Sequence, residues 1–489
     1  MHRLARLVAV LGTAFVLVVV NAPSAFAHAY LVSSNPAHGS VLDRAPAQVE
    51  VTFSEDISLP NGSAVAVRVA DRDLAEAPSV NGSRLTIPIR DGGTGVYLVT
   101  WRIISSDSHS ISGSIQFGVG VGVSASSLDA APPEDVVEPV RPWEVLARIL
   151  GYVGLVGVAI AAIRAVGRTG ILLSSAALVT SAAIRFGADV ATRGELVFAT
   201  GVGAGAGLTV VAALISAVLP ASTGARTSAL RWAAVAIAAL GVVAGGHAWP
   251  GGVPSLAIGW AHAFAAAVWF AAVAATLLGG PPRRTTAFAA VAIGTLILTG
   301  VAQSIDRVHW WDALTQTDYG RLVLIKVALA AFAIALGGIA ARRRAAGRPT
   351  ALESAVLATA FGVAGVLAST PIAAAVFHPV ARVEAEAGPY SLTVDVEPAR
   401  IGPQRWKVVI RPGEGAQAQV RSLQAVLADG TRVDFPIRVP GSAPPGAVPE
   451  TTFIGRTSIS EASTTEEGRL ILEVDAFTSY VARIAVPLG

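Results

Sequence analysis

The stretch Trp143–Ile163, WEVLARILGYVGLVGVAIAAI, decides how the rest of the chain is read. Its two charges, Glu144 and Arg148, lie near its start, and none follows up to Ile163. Roughly 20 such residues are what a helix needs to cross the hydrocarbon core of a bilayer. Seven more stretches of this kind come after it: Gly170–Gly187, Leu196–Leu219, Ala229–Gly246, Pro254–Leu278, Ala287–Ile305, Arg321–Ala341 and Leu352–Ala375. The spacing predicts an α-helical polytopic bundle of about eight transmembrane helices over residues 143–377. Composition agrees. Of 489 residues, 53% are hydrophobic and 14% charged, where soluble domains run near a quarter charged.

Arginines orient the bundle. If the chain ahead of it is exported, the inner loops hold Arg164 and Arg168, Arg226 and Arg231, Arg283 and Arg284, and Arg342, Arg343, Arg344 and Arg348. The outer loops are poorer in positive charge: Asp189, Arg193 and Glu195, then the neutral turn His247–Val253, then Ile305–Gly320. This is the positive-inside pattern. Arg185 lies near the end of the second span and must snorkel or face protein.

Both flanks read as β structure. Short, β-branched runs (Gln48–Phe53, Ala64–Val69, Arg84–Ile89, Val96–Ile103, Ile111–Val119) are separated by Pro60-Asn61-Gly62, Asn81-Gly82 and Asp91-Gly92-Gly93. They predict a β-sandwich or small barrel over residues 28–123. Residues 124–142, rich in Ser, Pro and acidic side chains, read as a linker. Residues 378–489 predict a second, C-terminal β-sandwich of about 100 residues, the usual size of that fold. The expected whole is a multi-domain membrane protein.

Residues 1–27 read as a signal peptide. Arg3 and Arg6 precede the apolar run Leu7–Val20, and Ala25-Phe26-Ala27 has the small-x-small form that signal peptidase cuts. Cleavage there would make His28 the first residue, able to hold a metal with its α-amine and its imidazole Nδ1 together. Without Arg3 and Arg6 the formal charge of +3 falls to +1, so the basic balance implies no nucleic-acid partner. The chain has no Cys, and its single Met is Met1. A metal site here must therefore use imidazole, carboxylate, backbone or water, which suits Cu(II) or Zn(II) better than Cu(I).

Asp107 and His109, in Ser106-Asp107-Ser108-His109-Ser110, are two residues apart. In extended backbone they share a side, about 6.5–7 Å apart. With His28 they would give an N,O donor set of the kind Cu(II) takes in tetragonal geometry; the plainer reading of Asp-x-His is a surface turn. Residues 28–119 resemble the CopC copper-resistance family, a periplasmic Cu(II)-binding β-sandwich. The matching stretches are His28-Ala29-Tyr30-Leu31, Ser34-Asn35-Pro36-Ala37-His38-Gly39, Val51-Thr52-Phe53-Ser54-Glu55, Gly95-Val96-Tyr97, Trp101-Arg102 and Ser106-Asp107-Ser108-His109. The resemblance implies an Ig-like or cupredoxin-like β-sandwich, Cu(II) as the bound metal and His28, Asp107 and His109 as its ligands. The Met-rich Cu(I) site of some members has no counterpart, and His38 reads as a solvated turn residue.

The membrane region resembles the CopD family, associated with copper uptake. The resemblance rests on Gly246-His247, Trp260-Ala261-His262 with Trp269, Leu298-Thr299-Gly300, Tyr319-Gly320-Arg321-Leu322 with Lys326, and Ala368-Ser369-Thr370-Pro371. The order, CopC-like ahead of CopD-like, is that of a fusion of the two. His247, His262 and Lys326 are candidate residues of a transport path, since ionisable groups inside a membrane are costly. Otherwise His262 bonds a neighbouring helix, His247 caps an interface, and Lys326 snorkels outward. The expected function is a non-enzymatic copper-binding membrane protein in the plasma or inner membrane with both β domains outside. It would capture Cu(II) and pass copper to or across the bilayer. One alternative is extracytoplasmic sequestration or chaperoning for copper resistance, with a periplasmic or cell-surface copper protein as partner. Another is a copper oxidase, which Asp107 disfavours by filling the coordination position such chemistry leaves open. There is no P-loop of the G-x-x-x-x-G-K-[ST] type, and the inner loops are too short for an ATPase domain, so energy coupling is not visible in the sequence.

Overall fold

In the computed structural model the described residues are 29, 31–60, 65–70, 72–105, 110–121, 136–137, 142–164, 166–193, 200–220, 225–246, 252–277, 282–342, 351–399, 402–413, 416, 420–428, 432–435, 437–440, 450–459, 465–475 and 478–488. The expected leader lies outside them.

The N-terminal unit is two sheets on one core. The first has the order Leu31–Asn35, Gln48–Phe53, Arg84–Pro88, Ser79–Asn81. The second is built on the long hairpin Gly95–Ser105 and Ser110–Val119, flanked by Val65–Val69 and Arg72–Asp73. Alternation puts Val49, Val51, Phe53, Leu85, Ile87, Tyr97, Val99 and Trp101 inside, the period-2 pattern of a sheet with one wet face. The expected linker is not wholly free of structure. Its Val136–Val137 pairs with Ile111 and Ser112, extending the second sheet.

Ten helices follow among the described residues: α1 (Pro142–Ile163), α2 (Arg168–Arg193), α3 (Gly201–Val218), α4 (Ala225–Ala244), α5 (Gly252–Leu277), α6 (Pro282–Val308), the single turn α7 (Ala313–Gln316), α8 (Asp318–Arg342), α9 (Ala351–Leu367) and the single turn α10 (Ala373–Val376). Seven of these, α1–α6 and α8, are long and apolar enough to cross a membrane. The eighth expected span, 352–375, is interrupted. The 17-residue helix α9 stops before Pro371, which has no N–H to donate. Ser369 and Thr370 turn their hydroxyls back to Gly365 O at 3.2 Å and Val366 O at 2.9 Å. At 1.5 Å per residue α9 covers only about 25 Å.

Helix α1 packs against α2, α4, α5 and α9 and forms the centre of the bundle with α5. Helices α6 and α8 bury little of their length within the protein. Arg231, 1% exposed in α4, donates to Ala161 O at 3.0 Å and Pro220 O at 2.6 Å, tying together the ends of α1 and α3. It is thus a helix-end clamp rather than a free loop charge.

The C-terminal region is a five-stranded sheet (Ala381–Ala387, Tyr390–Glu397, Gly402–Pro412, Thr451–Ile459, Ile437–Pro440) and a four-stranded one (Arg432–Asp434, Ser422–Leu427, Thr465–Glu473, Ser479–Pro487) on a common core. That core centres on Trp406, fully buried, whose indole N–H donates to Gln404 Oε1 at 3.0 Å. The strand Leu31–Asn35 of the N-terminal unit lies against the strands Gly402–Pro412 and Thr451–Ile459 of this region.

Candidate functional site

Three expected metal ligands, His28, Asp107 and His109, lie outside the described residues, as does His247. Their described neighbours can be placed by strand register. Leu31 is opposite Phe53, Ile57 opposite Ser105, and Ser110 opposite Ile104. Ile57 N–H donates to Gly82 O at 3.0 Å, which links the two sheets at this end. Leu31, Ser105 and Ser110 therefore all belong to one end of the N-terminal unit. Ser105 there donates its hydroxyl to Glu55 Oε1. Among the described residues no group of three His, Cys, Asp or Glu could hold a metal.

This end is joined to the bundle. Arg193, the last residue of α2, donates from Nη1 to Ser58 Oγ at 2.6 Å and from Nε to Asp189 Oδ1 at 2.8 Å. Asp189 also accepts from Thr200 Oγ1 at 3.2 Å, and Thr200 caps α3 by accepting from Gly203 N–H at 3.0 Å. The ion pair is nearly dry, with the side chains 10% and 3% exposed. Ser58 pairs with Ile104, just before residues 106–109. About two turns further inward, Arg185 faces protein, as one of its two expected options required. It donates to Val242 O at 3.3 Å and to Gly245 O, covering the carbonyl end of α4.

Inside the bundle, three helices bring polar groups to one depth. His262 is ten residues from the start of α5, Thr299 nine from the end of α6, and Lys326 eight from the start of α8. At helical rise that is about 12–15 Å from the same face, near the middle of a ~30 Å core. His262 Nδ1 is 2.8 Å from Thr299 Oγ1, and His262 Nε2 is 3.3 Å from Lys326 Nζ. The structure thus unites two of the three expected path residues, and the lysine reaches a histidine rather than merely snorkelling.

Residues 31–120 match the family model of the CopC domain. The chain is 33% identical over 106 residues to copper resistance protein C of Xanthomonas campestris pv. juglandis, covering 83% of that protein and 20% of this chain. The chain belongs to the CopC family. A second copper resistance protein C, from Pseudomonas syringae pv. tomato, is 38% identical over 103 residues, 81% of its length and 19% of this chain. The copper transport protein CutJ of Bacillus subtilis is 26% identical over 377 residues, 65% of this chain and 68% of that protein, so its match extends beyond the CopC domain.

Within the CopC domain, His38 plays a structural part, since its Nδ1 accepts the Gln116 backbone N–H at 3.0 Å and so clips a turn to the Ser110–Val119 strand. It is not simply a solvated turn residue. The exposed His309, at φ 62°, rests its ring 5.4 Å from Trp310. Reading the sequence missed Thr299 as a partner of His262 and Ser58 as a contact of Arg193. Thr295, Thr299 and Gln303, four apart on an apolar helix, were the available signal for the first. No local pattern marks the second, because Ser58 and Arg193 are 135 residues apart.

Proposed function

We propose that the chain captures copper outside the cell through its CopC domain and passes it to the membrane helices. The observation carrying this reading is the Arg193–Ser58 contact, which holds the end of the domain bordering positions 28 and 106–109 against the end of α2. In this reading the His28 amine and imidazole, the His109 imidazole and the Asp107 carboxylate bind Cu(II), and His262 receives copper within the bundle. Both β regions face outward, the bilayer is the second partner, and the protein catalyses no reaction. The names of the relatives, a copper transport protein and copper resistance proteins, support copper as the cargo.

Sequestration without transport is the second reading. The Lys326 ammonium at His262 Nε2 favours it, since a metal has no open nitrogen there. Two measurements on the full chain test both readings. Cu(II) titration of protein starting at His28, beside protein with one extra residue ahead of it, should show tight binding only in the first. Equal affinity would remove the terminal chelate. Radioactive copper uptake should fall in a strain lacking the gene if copper is moved inward, and stay level if it is only held outside.

A further inference from the structure

The intramembrane cluster defines which histidine nitrogen a metal could use. Thr299, 1% exposed, has one hydroxyl proton, and its nearer carbonyl acceptor is Thr295 O at 2.7 Å, with Leu296 O at 3.4 Å. Given that donation, Thr299 Oγ1 accepts from His262, which assigns the ring proton to Nδ1 and the lone pair to Nε2. A neighbour that fixes the tautomer in this way is the usual second support of a metal-binding imidazole. The lone pair on Nε2 faces Lys326 Nζ at 3.3 Å, and an ammonium can only donate. Gly300 lies beside the ring edge, where an added Cβ would make ordinary contact with His262 Cε1 at 3.6 Å.

We infer that Lys326 is a tethered cation that occupies the metal-coordinating nitrogen of His262 until copper displaces it. This deepens the transport reading and rests on it. Metal and ammonium need the same lone pair, so they exclude one another. Keeping both would set two positive charges side by side in a low-dielectric span, with Arg307 adding a third within electrostatic reach. Exchange of the ammonium for the copper ion avoids this coexistence, and it needs no change in the oxidation state of the Cu(II) captured outside. The four-carbon stem lets the displaced ammonium swing toward the near face of the bundle. Without copper the site stays filled by the protein's own charge, which closes the path to other cations and to water.

The test uses full-length protein in lipid nanodiscs, as wild type, Lys326→Met, Lys326→Arg, His262→Gln and the Lys326→Met/His262→Gln double variant. Equal melting temperature and equal Cu(II) binding at the exported site show that the variants fold. Diethylpyrocarbonate, which attacks an unengaged imidazole nitrogen, is applied without metal, and His262 labelling is read by mass spectrometry. Lys326→Met should label faster and Lys326→Arg at the wild-type rate. Cu(II) titration should show, beside the exported site, a His262-dependent site about tenfold tighter in Lys326→Met, as expected when a competitor holding ~90% of the sites is removed. The gain should vanish in the double variant. Unchanged labelling, or a Lys326→Met protein that loses copper as His262→Gln does, overturns the inference. Gene-dependent copper uptake by wild-type cells judges the transport reading separately.

Discussion

Tyr97 has its ring stacked on Phe117, centroids 4.9 Å apart, and its hydroxyl donates to Gly93 O at 2.9 Å. Burial, with the Asp91 carboxylate adding to it, holds the phenol above its ordinary value. A raised folded pKa means stability that is complete below the unfolded value, about 10, and is lost as pH climbs toward the folded one. Tyr97→Phe should therefore cost about 1 kcal/mol near neutrality, through the lost hydrogen bond. It should also remove part of the alkaline loss. Hydrogen-exchange protection of the Ser110–Val119 strand, followed from neutral to alkaline pH, reads both effects. A variant with the wild-type alkaline slope would contradict the assignment. Tyr97 was legible in the sequence as part of Gly95-Val96-Tyr97. The clip made by His38 was not, because its partner Gln116 is 78 residues away.

Among the helices, α3 and α4 approach closely where two glycines meet. A Cβ on Gly205 would lie 2.5 Å from Gly241 O, and one on Gly241 2.7 Å from Gly205 O. Small residues let spans pack this closely when lipid offers no hydrophobic drive. Gly241→Leu should force the backbones apart, at a cost of about 1–3 kcal/mol, and lower the melting temperature of the purified protein. Gly207→Ala is the control, since nothing lies within 4 Å of a Cβ there, and it should melt as wild type does. The glycine-rich run at 201–207 marks small residues but not which of them faces α4; the facing neighbour decides that. The apolar runs predicted the spans because bilayer thickness is a one-dimensional constraint. The break at 368–372 shortened the eighth, where Pro371 and two back-bonding hydroxyls prevail over hydropathy.

For the molecule as a whole, the Asp189–Arg193 pair joins the CopC domain to the bundle. Arg193→Gln leaves a buried carboxylate without its charge partner, a loss of about 3–5 kcal/mol, and removes the bond to Ser58. The domain should then move relative to the helices. Because the chain has no cysteine, a Thr192→Cys variant carries a single nitroxide. With Cu(II) at the site proposed for His28, Asp107 and His109, pulsed electron paramagnetic resonance between that label and the ion should give one short, narrow distance. Adding Arg193→Gln should broaden it at unchanged Cu(II) affinity. An equally narrow distance in the double variant would show that the joint is held elsewhere, for instance where Leu31–Asn35 meets the C-terminal strands.

The amino-acid sequence alone determined the order of parts: β unit, apolar helices, second β unit. Hydropathy and period-2 alternation are local properties that need no knowledge of neighbours. It also named His262 and Lys326, because ionisable groups in an apolar run stand out one by one. Only the tertiary structure decided that these two touch, that Thr299 hydrogen-bonds the histidine, and that Ser58 meets Arg193. Each of those contacts joins residues from different elements, and their distance depends on how helices and sheets pack rather than on any spacing along the chain.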